Sequence, residues 1–168
     1  MINKPVVTIL GVGNLLYTDE GFGIHVVQRL EARYLFPEAV SVVDGGVLGI
    51  NLLGIMSQPE HLIVVDIIRN GQSPGTFYRL AGADIPRRIR MKNSLHQVDL
   101  LEALTLCEAL DHVPKTVIVG VEPEDMQTLG ITLTATLQQQ VDPVVDRVLA
   151  ELDLLNVTYE KRTDARCA

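Results

Sequence analysis

Short, wholly apolar runs alternate along the chain with longer stretches in which apolar residues recur every third or fourth position. "VVTIL" (6–10) reads as a short buried strand. "FGIHVVQRLEARYLF" then has helical spacing, with Ile24, Val27, Leu30 and Tyr34 in phase. "VSVV" (40–43) is a second strand, ended by Asp44-Gly45-Gly46, and "LGINLLGIM" a short helix. "HLIVVDII" (61–68) is the strongest strand pattern. "GTFYRL" is a fourth, entered through the turn Ser73-Pro74-Gly75. "AGADIPRRIRMKN" carries Gly, Pro and four positive charges and reads as an exposed, mobile loop. Ser94-Leu95-His96-Gln97 has the Ser-x-x-Gln form of a capping box and opens the helical "HQVDLLEALTLCEAL". "TVIVGV" is a fifth strand. Residues 134–155 are helical in pattern, with Asp142-Pro143 either opening a new helix or kinking one. The polar tail, 156–168, reads as frayed.

Continuous apolar strands alternating with helices call for a parallel sheet covered on both faces. The expected fold class is α/β: a three-layer sandwich whose mostly parallel sheet has about five strands, with room for one antiparallel strand, and helices on both faces. A chain of 168 residues is expected to form a single domain, 1–168. No internal repeat, linker or low-complexity segment interrupts it.

Charge and composition narrow the function. A net charge of −7 argues against a general nucleic-acid partner, which needs a basic face. The absence of Trp leaves little for base stacking. No secretory segment is visible and no apolar run is long enough to span a bilayer, so the chain reads as cytoplasmic, without membrane insertion. Asn156-Val157-Thr158 is then a chance glycosylation match. Cys107 and Cys167 make no disulfide framework. Neither sits in an activating context, and no G-x-S-x-G elbow is present, so a Ser or Cys nucleophile is not expected.

The polar residues fall where such sheets keep their sites, beyond the carboxyl ends of the strands. The first strand leads through "GVGNLLYTDEGFG" to Asp19 and Glu20, the second ends at Asp44, and Asp66 sits at the carboxyl end of the third. The glycine loop resembles a phosphate cradle in position only. Leu16 occupies the third glycine position of the dinucleotide fingerprint, and the Lys of a P-loop is missing. Two acids near a helix N-terminus suit its dipole but would repel a phosphate, so a cation is the better guest. Each acid also has a plainer reading. Asp19 is most simply a helix N-cap, with Thr18 competing. Glu20 is as readily a complement to the helix dipole as a ligand. Asp44 before two glycines is first a turn residue. Asp66 in an apolar run is costly unless paired or bound to a metal. His25, His61 and His112 read as ordinary helix and strand residues. Bottom-up, Glu20, Asp66 and His96 outline a one-metal site for a divalent ion such as Ni, Zn or Mn.

The segments "GVGNLLYTDEGFGIHVVQRLE", "DGGVLGINLL", "HLIVVD", "SLHQVDLLEAL" and "VGVEPE", in this order and spacing, resemble the hydrogenase maturation protease family from about Val7 to about Leu155. The resemblance implies a nickel-dependent endopeptidase. Such enzymes remove a short C-terminal extension from the large-subunit precursor of a nickel–iron hydrogenase once nickel is in its active site. It carries the family's metal positions onto Glu20, Asp66 and His96, and the D-G-G turn onto Asp44, Gly45 and Gly46; Val47 stands where the family often has Thr. It implies that the nickel is the ion held by the substrate's own cysteines, with Zn or Cd as possible occupants in vitro. Two mechanisms stay open: the metal polarises the scissile carbonyl or activates water, or it only positions the peptide while a carboxylate acts as base, with Asp44 as the catalytic candidate. A non-enzymatic nickel checkpoint or chaperone is the alternative reading, and a nucleotide-binding domain a more distant one.

Overall fold

The computed structural model describes residues 5–46, 52–85, 105, 107 and 112–163. Along the chain, β1 (Val7–Val12) leads through a 3-10 turn (Thr18–Gly21) into α1 (Phe22–Arg33), then β2 (Tyr34–Leu35), β3 (Val40–Gly46) and α2 (Leu52–Met56). β4 (His61–Ile67), β5 (Phe77–Ala81), β6 (Lys115–Val121), α3 (Ala135–Gln138), α4 (Val141–Leu154) and β7 (Glu160–Lys161) follow. The five-stranded sheet has the order β3–β1–β4–β6–β5. Its first four members are parallel and β5 lies antiparallel at one edge. The expected mostly parallel α/β sheet is therefore present, with its one antiparallel strand.

Period-two alternation divides the apolar strand residues between two cores. Val7 and Ile9 of β1 and Ile63, Val65 and Ile67 of β4 pack with α1 and α4 on one face. Leu10, Val12, Leu62 and Val64 pack with Met56, Ile85 and Cys107 on the other. Both faces are covered, which is why these strands read as unbroken apolar runs rather than alternating ones. Arg29 and Arg33 of α1 both reach Asp142 at the start of α4, at 2.8 and 3.1 Å, tying the two helices of one layer together.

Several local expectations change. The helical spacing that includes Tyr34 ends one residue earlier: Tyr34–Leu35 is extended and pairs antiparallel with Glu160–Lys161. The tail consequently does not fray from 156. It is held through Arg162, whose amide donates to the Arg33 carbonyl at 2.7 Å, and by the rings of Tyr34, Phe36 and Tyr159. Asp142 does not cap α4. Gln140 is the N-cap residue and α4 starts at Val141, so Asp142 and Pro143 lie in its first turn, where a missing proline N–H costs nothing. In the stretch read as an exposed loop, Ile85 is buried. Among the described residues, no helix is long and apolar enough to cross a membrane.

Candidate metal centre

The order β3–β1–β4 places the next two strands of this sheet, β3 and β4, on opposite sides of β1. The connections at the carboxyl ends of β1 and β4 therefore diverge and leave a crevice between them. Glu20 comes from the β1 side of this crevice and Asp66 from the β4 side. Two glycines bring them together. Gly13 leaves β1 at φ +150°, and a Cβ there would fall on the Glu20 carbonyl oxygen, which accepts the Asn14 amide at 3.0 Å. At Gly23 a Cβ would collide with the carbonyl oxygens of Val12 and Val65, so the first turn of α1 lies directly on the ends of β1 and β4. Only glycine permits these approaches.

Asp66 shares the face of Leu62 and Val64 by strand parity and is 4% exposed. Its Oδ1 accepts the Ile67 amide at 2.7 Å. Burial pushes the carboxyl up to about 7; the Ile67 amide pulls it back, and the charge of Glu20 raises it further. A buried carboxylate beside a second one is satisfied by a proton or by a cation, and carboxylate oxygens are suitable ligands for a divalent ion.

Asp44 is exposed and lies on the same edge, paired with Gly11 where a bulge shifts the β1–β3 register. It is both strand and turn: its Oδ1 accepts the Gly46 amide at 3.0 Å, and Gly46 has φ +51°. The Gly46 carbonyl in turn accepts the Gly13 amide, joining this turn to the glycine loop. His96, with the capping box around it, lies outside the described residues. Among the described residues no three His, Cys, Asp or Glu side chains come close enough to hold a metal, so what the structure brings together is the pair Glu20 and Asp66.

Asp19 does not cap α1. The N-cap residue is Gly21 and no side chain caps it, because Asp19 already lies inside the preceding 3-10 turn. Its fully buried carboxylate instead accepts the amides of Glu124 (2.9 Å), Asp125 (2.8 Å) and Thr134 (2.9 Å) and the Thr134 hydroxyl (3.1 Å). Thr18 turns the same way, its hydroxyl donating to the Thr128 carbonyl at 2.7 Å. Both acids of the loop are thus accounted for, one by a distant loop and one by the crevice.

Glu122, at the carboxyl end of β6, is a polar anchor that the sequence reading passed over. Burial alone would push its carboxyl up. The Tyr78 hydroxyl and the amides of Gly71, Asn70 and Gln72 outweigh that and hold it below the usual glutamate range. It thereby fixes the turn after β4. The rule that drew attention to Asp66, an acid at the end of an apolar strand, applies equally to Glu122 in "VGVEPE". Arg69 and residues 122–127 line a cavity of about 300 Å³ along this edge. Cys107 is helical and buried, and burial pushes its thiol up, the opposite of an activated thiolate.

Residues 24–151 match the family model described as hydrogenase maturation protease. The chain belongs to the hydrogenase maturation protease family. It is 38% identical over 148 residues to the hydrogenase 2 maturation protease of Escherichia coli K12, covering 87% of this chain and 90% of that protein. It is 32% identical over 167 residues to the hydrogenase expression/formation protein HupD of Thiocapsa roseopersicina, covering 98% and 76%. The solved hydrogenase maturating endopeptidase HybD from E. coli superposes with a TM-score of 0.89 at 37% identity, covering 95% of this chain and 99% of that one. The family places the crevice in a peptidase.

Proposed function

We propose that this chain is the endopeptidase that removes the C-terminal extension of a nickel–iron hydrogenase large-subunit precursor after nickel insertion, and that it recognises the nickel carried by that precursor. The observation behind this reading is the convergence of Glu20 and Asp66 at the crevice between β1 and β4, where burial and like charge leave Asp66 in want of a counter-charge. A precursor's nickel would meet Glu20 and Asp66, with His96 as the third ligand, and its charge would favour the ionised Asp66. A precursor without the ion would face two carboxylates and gain nothing from them. Recognition would then limit cleavage to loaded substrate.

The nickel supplies positive charge beside the scissile peptide. The chain's own contribution is to hold Glu20 rigidly through the Gly13–Asn14 turn, to keep Asp66 dry, and to present exposed Asp44 on the same edge. There Asp44 would accept a proton from the attacking water or orient a ligand. The buried, unactivated Cys107 supports a reading without a thiol nucleophile. Mass spectrometry of nickel-loaded and nickel-free precursor, with and without this protein, tests the proposal. The expected result is loss of the C-terminal fragment from the loaded precursor alone. An unchanged mass with a stable complex would indicate a checkpoint that does not cleave.

A further inference from the structure

Among the described residues, three of the four most exposed large aliphatic side chains lie together in the chain's hydrogen-bonded architecture: Leu16 (64% exposed), Leu129 (73%) and Ile131 (70%). Leu16 belongs to the loop that carries Glu20. Leu129 and Ile131 belong to the loop that follows β6. The two loops are joined by backbone: Tyr17 and Leu129 form an antiparallel bridge, the Gly130 amide donates to the Leu16 carbonyl at 3.0 Å, and the Thr18 amide donates to Thr128 at 3.2 Å. The Asp19 carboxylate then clamps the second loop at Glu124, Asp125 and Thr134. These leucines and this isoleucine are presented on a rigid frame, so a partner that covers them would lose little entropy in ordering them.

We infer that Leu16, Leu129 and Ile131 form an apolar docking rim for the folded hydrogenase precursor, gripping an apolar surface of that protein beside its metal. The inference rests on the peptidase reading, and the occupant follows from the continuity of this rim with the crevice. A metal still held by the precursor can touch Glu20 only if the precursor's surface closes over the Glu20 loop. Leu16 is four residues from Glu20, so their Cα atoms are at most about 15 Å apart. A standard interface buries roughly 800 Å² per partner, a disc of roughly 16 Å radius. Leu16 therefore falls within the footprint that metal contact requires, and the Tyr17–Leu129 bridge and the Gly130–Leu16 hydrogen bond set Leu129 and Ile131 beside it. Exposed aliphatics on a fixed frame there supply apolar area that two carboxylates cannot.

The test measures precursor binding and cleavage separately, using nickel-loaded precursor and three variants: Leu129→Ser/Ile131→Ser, Leu16→Ser, and Leu154→Ser as a control that is equally exposed (72%) but at the end of α4. Losing the burial of two aliphatic side chains predicts a Kd and KM raised at least about tenfold for the pair, with kcat little changed. Leu16→Ser should show a smaller rise and Leu154→Ser none. All substitutions are at exposed positions, so melting should be unaffected. If the pair nonetheless unfolds, Leu16→Ser, in a separate stretch, still carries its own expectation of a raised Kd and KM. Unchanged Kd and KM in folded variants overturn the inference. So does a wild-type dimer, seen by sedimentation, that the pair dissociates, since the rim would then serve a second copy. Wild-type protein that binds precursor through the rim without cleaving it overturns the peptidase reading and leaves the docking rim standing.

Discussion

Glu20 lies close enough to Asp66 for its charge to add to the effect of burial on the Asp66 carboxyl, which is pushed up to about 7. In the absence of a cation the folded protein holds a proton there that the unfolded chain, with an ordinary carboxylate near 3.8, gives up. Between these values the folded state binds more protons, so stability falls as pH rises through the window, by at most about 1.4 kcal/mol per pH unit. Asp66→Asn removes the effect while keeping an oxygen for the Ile67 amide. The variant should melt at the same temperature as wild type or higher above pH 7, and the gap should close towards pH 4. Cleavage of nickel-loaded precursor should fall by about 100-fold or more, because a neutral amide attracts a cation poorly. A destabilised variant with near-normal cleavage would sink the ligand role.

Asp19→Asn tests the clamp rather than the crevice. The substitution leaves one accepting oxygen for four donors and turns an amide NH2 towards other N–H groups. Loss of charge-assisted hydrogen bonds at a buried site predicts destabilisation of about 3 kcal/mol, read from a urea midpoint. Amide exchange should quicken at Glu124, Asp125 and Thr134 before it does in β1 or β4. Uniform quickening across the sheet would show that Asp19 supports the whole fold and not this loop.

Glu122 should shape the acid limb of stability. Its carboxyl is held below the ordinary value of 4.5, so its contribution is present above that pH and is lost as pH falls below it. Glu122→Gln should flatten the acid-induced loss relative to wild type, from a lower starting stability. Tyr78→Phe, which removes a 2.6 Å hydrogen bond, should cost about 1 kcal/mol and share part of the flattening. An acid limb identical in all three proteins would exclude this anchor as its source.

His25 predicts a pH effect of its own. Burial lowers the imidazole below its usual 6.5, the Ile131 backbone raises it in part, and the Arg29 charge lowers it again; its buried Nε2 has no hydrogen-bond partner. The unfolded chain takes up this proton first, so stability falls as pH drops below 6.5 and levels off once the folded state is protonated as well. His25→Gln should lose less stability than wild type between pH 7 and pH 5 in parallel denaturant titrations. Because Asp66 acts with the opposite sign, the comparison is between the two proteins and not along one curve.

Periodicity and turn chemistry together outlined the five strands of the sheet, the helix after β1 and the α/β class; the apolar runs of β1 and β4, buried on both faces, need no partner's identity to be recognised. The same local logic reached Glu20, Asp44 and Asp66 as strand-end acids. What it could not reach were roles assigned by residues far away in sequence. Tyr34 fits the helical spacing, yet it is extended because Lys161 is available to pair with it. Asp19 looks like a cap, yet its oxygens go to amides more than a hundred residues on. Glu122 stands at a strand end like Asp66, but its donors in the turn after β4 make it an anchor while Asp66 is left dry beside Glu20. Strand order decided that difference, since only the placement of β4 next to β1 brings Asp66 under the glycine loop. Hydrogen bonds and charges that close over such distances leave no periodic trace in the chain, and only the folded structure assigns them.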